Sequence, residues 1–480
     1  MGNATDLTRR DLLAGMGGAA LAASMGEAVA ASARKPPNIV FIMADDMGYA
    51  DAGIYGSRHI KTPHIDGMAQ RGVRFAQAYA NSPVCSATRT ALITGRYQYR
   101  LRLGLEEPLG GGPAVRNIGL PPEHPTLPSL LKKQGYGTTL IGKWHLGFMP
   151  KFGPLQSGYD HFYGIRGGGV DYFTHSAPRG APDFWENDVP VEKTGYMTEL
   201  LGDRTVQVID QYAASKQPFL ISLHFTAPHW PWELPGDEAE ARRIHGSMLY
   251  HHDGGTLAKY RGMVEAMDTQ IGRVLRALQS KGLANNTIVV FTSDNGGERF
   301  SDMWPFSGQK NELLEGGIRV PAIVSWPAQL PGNRVIEQTA MSMDWLPTLL
   351  AAAGGAPDPA YPTDGLNLLP QLQGAAPVNR KLYWRYKSNH QRAMRDGNYK
   401  FLKILEHTYL FNVVDDPLER ANLKELKPDV YRRLVDEWQV WNRDMLPQIA
   451  ESLSGAVEAA EQADHIGAGP ALATPDTAEL

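Results

Sequence analysis

Cysteine is almost absent from this chain. There is one, Cys85, so no internal disulfide can form. Charge of one sign is lacking too: 47 Lys and Arg stand against 51 Asp and Glu, a formal net charge of -4. That balance points to no nucleic-acid partner. Long apolar runs are also missing. The weakly apolar stretch from Leu12 to Ala23 is too short and too glycine-rich to span a bilayer, and no other segment qualifies. No stable membrane insertion is expected.

What is present is a chain of 480 residues with 50 glycines and 34 prolines, long enough for a large core and rich in connecting loops. Thr8-Arg9-Arg10-Asp11-Leu12-Leu13 has the paired arginines of a twin-arginine signal. Small residues at Ala28-Val29-Ala30 and Ala31-Ser32-Ala33 offer cleavage sites. We therefore expect a signal peptide over residues 1–33 and a soluble periplasmic or secreted protein. With no cysteine near the cleavage region, a lipoprotein anchor is not expected.

Beyond the signal, apolar β-branched runs alternate with helical patterns. Asn38–Met43, Thr138–Ile141, Phe219–Leu223 and Thr287–Phe291 read as strands covered on both faces, as in a mostly parallel sheet. Leu127–Gln134 ends at Gly135, and Tyr260–Lys281 carries methionines and aliphatics at helical spacing before Gly282. The expected fold class is α/β: a three-layer sandwich around a large, mostly parallel sheet over 36–375. Residues 376–454 read as a smaller C-terminal α+β subdomain. Its antiparallel strands lie in Leu382–Asp396, Tyr399–Leu402 and Tyr409–Asn412, followed by a helix from about Pro428 to Trp441. Residues 455–480 are rich in Ala, Gly, Pro and Thr and read as a flexible tail.

Polar residues recur directly after the predicted strands. Asp45 and Asp46 follow the first, Asp294 and Asn295 the last, His229 the strand ending near Phe225, and Lys143-Trp144-His145 the strand ending at Ile141. In an open parallel sheet, ligands bind beyond the carboxyl ends of strands, so all four groups would meet at one edge. Acidic doublets also serve as caps and turns. As a set, however, Asp45, Asp46, Asp294 and Asn295 offer only oxygen, which suits calcium or magnesium and not zinc. An extended backbone would point Lys143 and His145 to one side.

Cys85 lies in Cys85-Ser86-Ala87-Thr88-Arg89, with Thr94-Gly95-Arg96 following. A lone cysteine is ordinarily an inert core residue. This one is predicted to open a helix running to Thr94, with Gly95 as its stop. A helix N-terminus favours anionic character, and Arg89, four residues on, shares the helix face. The pattern resembles the signature of the type I sulfatases of the alkaline phosphatase superfamily, in which this cysteine is oxidised to formylglycine. Position 87 is alanine where many members have proline. Both occur in the family, and the choice bears on which maturation enzyme accepts the site.

The resemblance covers roughly Pro37 to Asp416. It implies that Asp45, Asp46, Asp294 and Asn295 bind a divalent cation, calcium in preference to magnesium, with residue 85 as a further ligand. Gly142-Lys143-Trp144-His145-Leu146-Gly147 is similar to a second family block, in which the lysine binds the sulfate and the nucleophile and the histidine hydrogen-bonds the formylglycine. Ala227-Pro228-His229 resembles the leaving-group histidine, and Gly308-Gln309-Lys310 with Glu315–Pro321 a block whose lysine contacts sulfate. Lys61–Asp66 and Asp396–Lys400 also match and read as scaffold.

The implied reaction is sulfate monoester hydrolysis, on aryl sulfates or sulfated sugars. The aldehyde hydrate attacks sulfur and His229 protonates the leaving oxygen. A proton then leaves the second geminal hydroxyl, with His145 a candidate acceptor, and sulfate departs as the aldehyde re-forms. Arg89, Lys143 and Lys310 offset the developing charge. The implied partners are a small-molecule or saccharide sulfate ester and a formylglycine-generating maturation enzyme. Two rivals stand beside this reading: a formylglycine-dependent phosphonate or phosphate ester hydrolase, and a non-catalytic binder of sulfated glycans. A two-zinc phosphatase is disfavoured because it needs Asp-His where the chain has Asp294-Asn295. Residues 167–175, Trp230 and Trp232 are candidate pocket lining, although core packing accounts for the aromatics equally well.

Overall fold

The apolar run Asn38–Ala44 forms a strand buried on both faces. Ile39, Phe41 and Met43 enter one core, and Val40, Ile42 and Ala44 the other. Two-sided burial is why it reads as continuously apolar instead of alternating. Each such side chain contributes about 1.5–3 kcal/mol when fully buried. The computed structural model describes Met1 and residues 35–111, 115–246 and 255–452. Apart from Met1, the expected signal peptide over 1–33 lies outside the described residues, as does the expected tail over 455–480.

In chain order the strands are β1 (Asn38–Ala44), β2 (Val73–Phe75), β3 (Ala78–Tyr79), β4 (Gly137–Lys143), β5 (His161–Ile165), β6 (Trp185–Glu186), β7 (Val189–Pro190) and β8 (Phe219–His224). There follow β9 (Thr287–Ser293), β10 (Ala322–Ser325), β11 (Arg334–Ile336), β12 (Ala340–Met341), β13 (Lys381–Tyr386), β14 (Gln391–Asp396), β15 (Tyr399–Ile404) and β16 (His407–Asn412). Ten of them form one sheet in the order β11-β2-β10-β9-β1-β8-β4-β5-β6-β7. Its centre, β9-β1-β8-β4-β5, is entirely parallel. Antiparallel β10 flanks it on one side and the β6–β7 ribbon on the other. The four apolar runs expected as strands are β1, β4, β8 and β9, and short strands extend the sheet at both edges.

Helices cover both faces. Met263, Met267, Ile271 and Val274 of the Leu257–Ser280 helix fill one core together with Leu201 and Ile209 of the Met197–Ser215 helix. Leu130 and Leu131 of the Leu127–Lys133 helix fill the other with Leu346 and Leu349 of the Trp345–Ala352 helix. This is the three-layer arrangement expected. Among the described residues, no helix is long and apolar enough to cross a membrane.

Strands β13–β16 form a second, antiparallel sheet, with the Pro428–Arg443 helix packed on it through Leu434 and Trp438. Its other face lies against the Cys85–Thr94 helix, because Ala87 and Ala91 share one apolar cluster with Trp384 and Leu402. Trp384 is fully buried and donates from Nε1 to the Ala80 carbonyl at 2.9 Å. An ionic cluster stitches the same boundary. Lys400 Nζ lies 3.0 Å from Glu315 Oε1 and 2.9 Å from Glu419 Oε1, and Arg319 pairs with Glu315 at 2.8 Å.

Removing one member of a buried ion cluster leaves its partners charged and uncompensated, which costs about 3–5 kcal/mol. Lys400→Ala is therefore expected to lower the free energy of unfolding measured by urea titration by an amount in that range, with a corresponding fall in the midpoint. A midpoint equal to wild type would contradict the buried cluster.

Candidate active site

Neighbouring strands in register bring the polar ends together. Ala44 lies beside Ser293, and Met43 and Gly142 both lie beside His224. Asp45 and Asp294 therefore leave the sheet at one level, and Lys143 closes β4 next to them. Beyond the strands the ladder continues: Asp294 N donates to Ala44 O, and Asp45 N to Ala227 O. Asp46 turns sharply, with φ at 63°, and its N–H donates to Asp294 Oδ1 at 3.2 Å.

The nucleophile candidate enters from the other side. Cys85 is the first residue of the Cys85–Thr94 helix, which ends at Gly95 in the left-handed region (φ 68°). Every residue of this helix is buried. Cys85 Sγ lies 3.9 Å from Asp46 Oδ1. Burial pushes the thiol well above the ordinary cysteine range, with Lys143 only partly opposing it. The unmodified side chain is thus held as a thiol and not as a thiolate. One turn on, Arg89 donates from Nε to Asp294 Oδ2 at 3.0 Å and from Nη1 to the Lys143 carbonyl at 3.2 Å.

Two lysines complete the charge set. Lys143 Nζ lies 2.7 Å from Asp45 Oδ2, and Lys310 Nζ 2.5 Å from Asp46 Oδ2. Burial opposes ionisation of both and is the largest single influence, but the anionic neighbours together outweigh it, Asp45 foremost at Lys143 and Asp46 then Glu298 at Lys310, so each pKa is raised. The carboxylates behave unequally. Burial raises Asp45 to about 8 despite Lys143, and raises Asp46 as well. At Asp294 burial is overcome by Arg89 and Lys143, and the value falls to about 2.

This donor set fits a hard cation. Asp45, Asp46, Cys85 and Asp294 each offer one ligand atom, and these lie within 4.8 Å of one another. Asn295 Nδ2 donates to Asp46 Oδ1 and to the Gly296 carbonyl, which turns its Oδ1 the other way. That oxygen and Asp45 Oδ1 are buried without a hydrogen-bond partner. Two orphaned oxygens among carboxylates call for a cation, and apart from the Cys85 sulfur the donors are oxygens, which suit calcium or magnesium.

The two histidines are held differently. His229 Nδ1 lies 2.7 Å from the Trp230 carbonyl, which fixes the tautomer and leaves Nε2 toward Asp46 Oδ2 at 3.6 Å. His145 does not continue the strand. The chain departs from extended backbone there, with φ at 58°, while Trp144 buries itself on the far side with Nε1 on Phe152 O. His145 Nε2 lies 2.8 Å from Leu109 O, and Nδ1 is buried without a partner. Burial and Lys143 keep the ring neutral, well below the ordinary histidine range. It stands beside the cluster, making no hydrogen bond or ion pair to the other nine side chains.

Parts of the 167–175 stretch expected as pocket lining lie against the histidines, and Asp183, Glu233 and Glu298, which carried no signal in the sequence, add to the surroundings. Gly168 and Gly169 lie so close to the histidines that a Cβ would meet His145 at 2.8 Å and His229 at 2.9 Å. Asp183 pins this loop by accepting from the N–H groups of Arg166 and Gly167. Tyr172 OH donates to the carbonyls of Thr226 and His229, and Tyr172 N to Glu233 Oε2. Glu298 Oε2 stands 3.7 Å from Lys310. Trp232 is core, packed edge-on against Phe300, whereas the Trp230 ring lies 4.5 Å from His229.

Comparisons with known proteins show the family of the chain. Residues 37–356 match the family described as Sulfatase, and residues 308–441 the one described as N-sulphoglucosamine sulphohydrolase, C-terminal. The chain is 33% identical to the dog N-acetylgalactosamine-6-sulfatase, over 77% of its own length and 72% of the relative's. It is 30% identical to mouse Arylsulfatase J, over 86% and 76%. Among solved structures, Ps i-CgsB in complex with k-i-k-neocarrahexaose aligns with a TM-score of 0.77 at 29% identity, covering 86% of this chain and 94% of that one.

Glu233 supplies a pH test of the His229 support. Burial, then the Asp171 carboxylate, push Glu233 up to about 9. The folded protein keeps this proton, whereas the unfolded chain releases it near the ordinary glutamate value. Stability is therefore lost as pH rises from that value toward 9. Glu233→Gln keeps a donor with no proton to lose. Relative to wild type, its melting temperature should climb between about pH 5 and about pH 8. A difference that stays constant with pH would rule out a protonated Glu233.

Proposed function

The chain belongs to the sulfatase family, within the alkaline phosphatase superfamily, and is a sulfuric ester hydrolase; from that premise we propose that it works through a formylglycine made from Cys85 beside a divalent cation. The observation that carries this reading is the buried meeting of Cys85 with three carboxylates and three cationic side chains. Asp45, Asp46, Asp294 and Asn295 are the residues to hold calcium, or magnesium in its place. When present, formylglycine supplies a hydrated aldehyde as nucleophile, and the cation a positive charge that acidifies it.

The chain's own residues do the rest. Lys143 and Lys310, both held as ammonium, bind the sulfuryl oxygens as point charges. Arg89 keeps Asp294 ionised and fixes it against the nucleophile helix. His229, oriented by its Nδ1–H on the Trp230 carbonyl, acts as the imidazolium and delivers its Nε2 proton to the leaving oxygen as the S–O bond breaks. Neutral His145 offers Nδ1 as a proton acceptor at residue 85. The Gly167–Gly169 loop brings only backbone against both rings and leaves room for the ester.

We take the substrate to be a sulfated saccharide, with aryl sulfates as surrogates. Likeness to an N-acetylgalactosamine-6-sulfatase and to a carrahexaose-bound structure supports this, as does the Trp230 ring beside His229. Arg9-Arg10 and the small residues after it support export by the twin-arginine route. Because Cys85 is 2% exposed and that route carries folded proteins, oxidation by the maturation enzyme would precede both folding and export.

Cys85→Ala should abolish turnover of nitrophenyl sulfate and leave the melting temperature near wild type. The wild-type intact mass should be lower by the difference between a thiol and an aldehyde. Full activity in the variant, or an unmodified thiol in active enzyme, would refute the mechanism. A preference for a phenyl phosphonate ester over the sulfate would move the chain to the rival class. Chelation should remove activity, and calcium, or less effectively magnesium, should restore it. Activity indifferent to chelators would exclude the cation.

A further inference from the structure

Lys310 sits on a loop, Ser307–Leu314, that is gripped from the C-terminal sheet. Lys310 N donates to Gly297 O at 2.9 Å, which fixes one side of the residue. The next residue, Asn311, is in the left-handed region at φ 73°, and its N–H donates to Pro83 O, two residues before Cys85. Three further bonds come from across the boundary. Gln391 Nε2 donates to Asn311 O at 2.8 Å, and Gln391 Oε1 accepts from Leu313 N at 2.7 Å. Tyr386 OH donates to Asn311 Oδ1 at 2.8 Å.

Gln391 is the first residue of β14 and is 1% exposed. An apolar side chain would serve there if packing were its only task. Its amide instead satisfies one carbonyl and one N–H of the loop at the same time, which neither a carboxylate nor a hydrocarbon does. The loop has no slack below it. A Cβ on Gly316 or Gly317 would meet the carbonyls of Gly308 or Glu312 at 2.1 and 2.0 Å. Together these contacts fix the Asn311 turn, and that turn sets where the Lys310 ammonium points.

We propose that Gln391, supported by Tyr386, is a positioning residue for Lys310, so that the C-terminal sheet completes the sulfate-binding charge set. This rests on the role assigned to Lys310 above. It differs from a stabilising role because its effect must pass through one side chain. A reacting group misplaced by about 1 Å costs on the order of a hundredfold in rate.

The test is a double-mutant cycle in the full-length, matured protein. It is read on kcat and KM with nitrophenyl sulfate, and on the dissociation constant of inorganic sulfate by calorimetry. Gln391→Leu is expected to lower kcat/KM by about 10- to 100-fold in the wild-type background, but by less than about threefold when Lys310 is already Ala. Sulfate affinity should show the same non-additivity. Tyr386→Phe keeps the ring and removes one bond. It should show the same pattern with a smaller loss, and it carries the cycle by itself if Gln391→Leu does not fold. Equal fold-losses in both backgrounds would overturn the proposal. A Lys310→Ala variant with wild-type turnover and sulfate affinity would instead overturn the role of Lys310, and this inference with it.

Discussion

Charge balance in a dry site is the constraint on which the rest depends. Asp45, Asp46 and Asp294 are essentially inaccessible to water, and so are Arg89 and Lys143, with Lys310 nearly so. Isolated charges in such surroundings would neutralise. The cations prevent this unevenly: Asp294 is held to about 2 while Asp45 rises to about 8. An anionic ester arriving at the site competes for the same lysines that now pair with Asp45 and Asp46. On the proposed reading, a divalent cation takes over the carboxylates and leaves the ammonium groups to the ester. The oxygen-only donors and the two orphaned oxygens are then two signs of one requirement.

The sheet meets that requirement by geometry instead of by sequence proximity. Asp45 and Asp294 are far apart in the chain, yet β1 and β9 are neighbours in parallel register, so their ends coincide. Parallel pairing repeats this across β8 and β4, which is why His229 and Lys143 join the same edge. Cys85 and Lys310 do not come from strand ends. They arrive on a buried helix and a clamped loop, and both lie against the second sheet. On the proposed reading, the large sheet thus places the residues assigned to cation binding and proton transfer, while the smaller one backs the helix that Cys85 opens and the Lys310 loop.

Much of this was legible in the chain. Two-sided burial makes β1, β4, β8 and β9 visible as apolar runs, and the polar residues that follow them mark the edge. The Cys85 string and the Gly142–Gly147 block are specific enough to select a family. What was not legible depends on close approach. An extended backbone would have pointed Lys143 and His145 to one side, but His145 turns into the left-handed region and reaches Leu109. Gly168 and Gly169 fall in the stretch expected as pocket lining, but why they are glycine shows only once the rings beneath them are seen. Glu233 and Gln391 act through backbone groups distant in sequence, and side-chain-to-backbone bonds leave no periodic trace. Two-residue strands such as β6 and β7 bury too little to produce a pattern.

The molecule contains a second buried ionic group, and comparing the two shows how a working site differs from a structural one. Around Lys400, each carboxylate oxygen has a cationic or N–H group within 3.0 Å, although the Glu419 Oε1 contact is an ion pair without hydrogen-bond geometry. Glu315 Oε1 meets Lys400 at 3.0 Å, Glu315 Oε2 meets Arg319 at 2.8 Å, and Glu419 Oε2 accepts from Glu315 N at 2.6 Å. The Glu419 Oε1–Lys400 pair, at 2.9 Å, closes the set. Around Cys85 the accounting stays open. Asp45 Oδ1 has Arg89 only at 3.7 Å, and Asn295 Oδ1 and His145 Nδ1 have no hydrogen-bond partner. A buried polar group left short of partners costs about 1–3 kcal/mol, so three of them together are not a neutral feature of packing. The first cluster is complete without a ligand. On the proposed reading, the second is completed by the cation and the ester, and its unpartnered atoms are the places left for them.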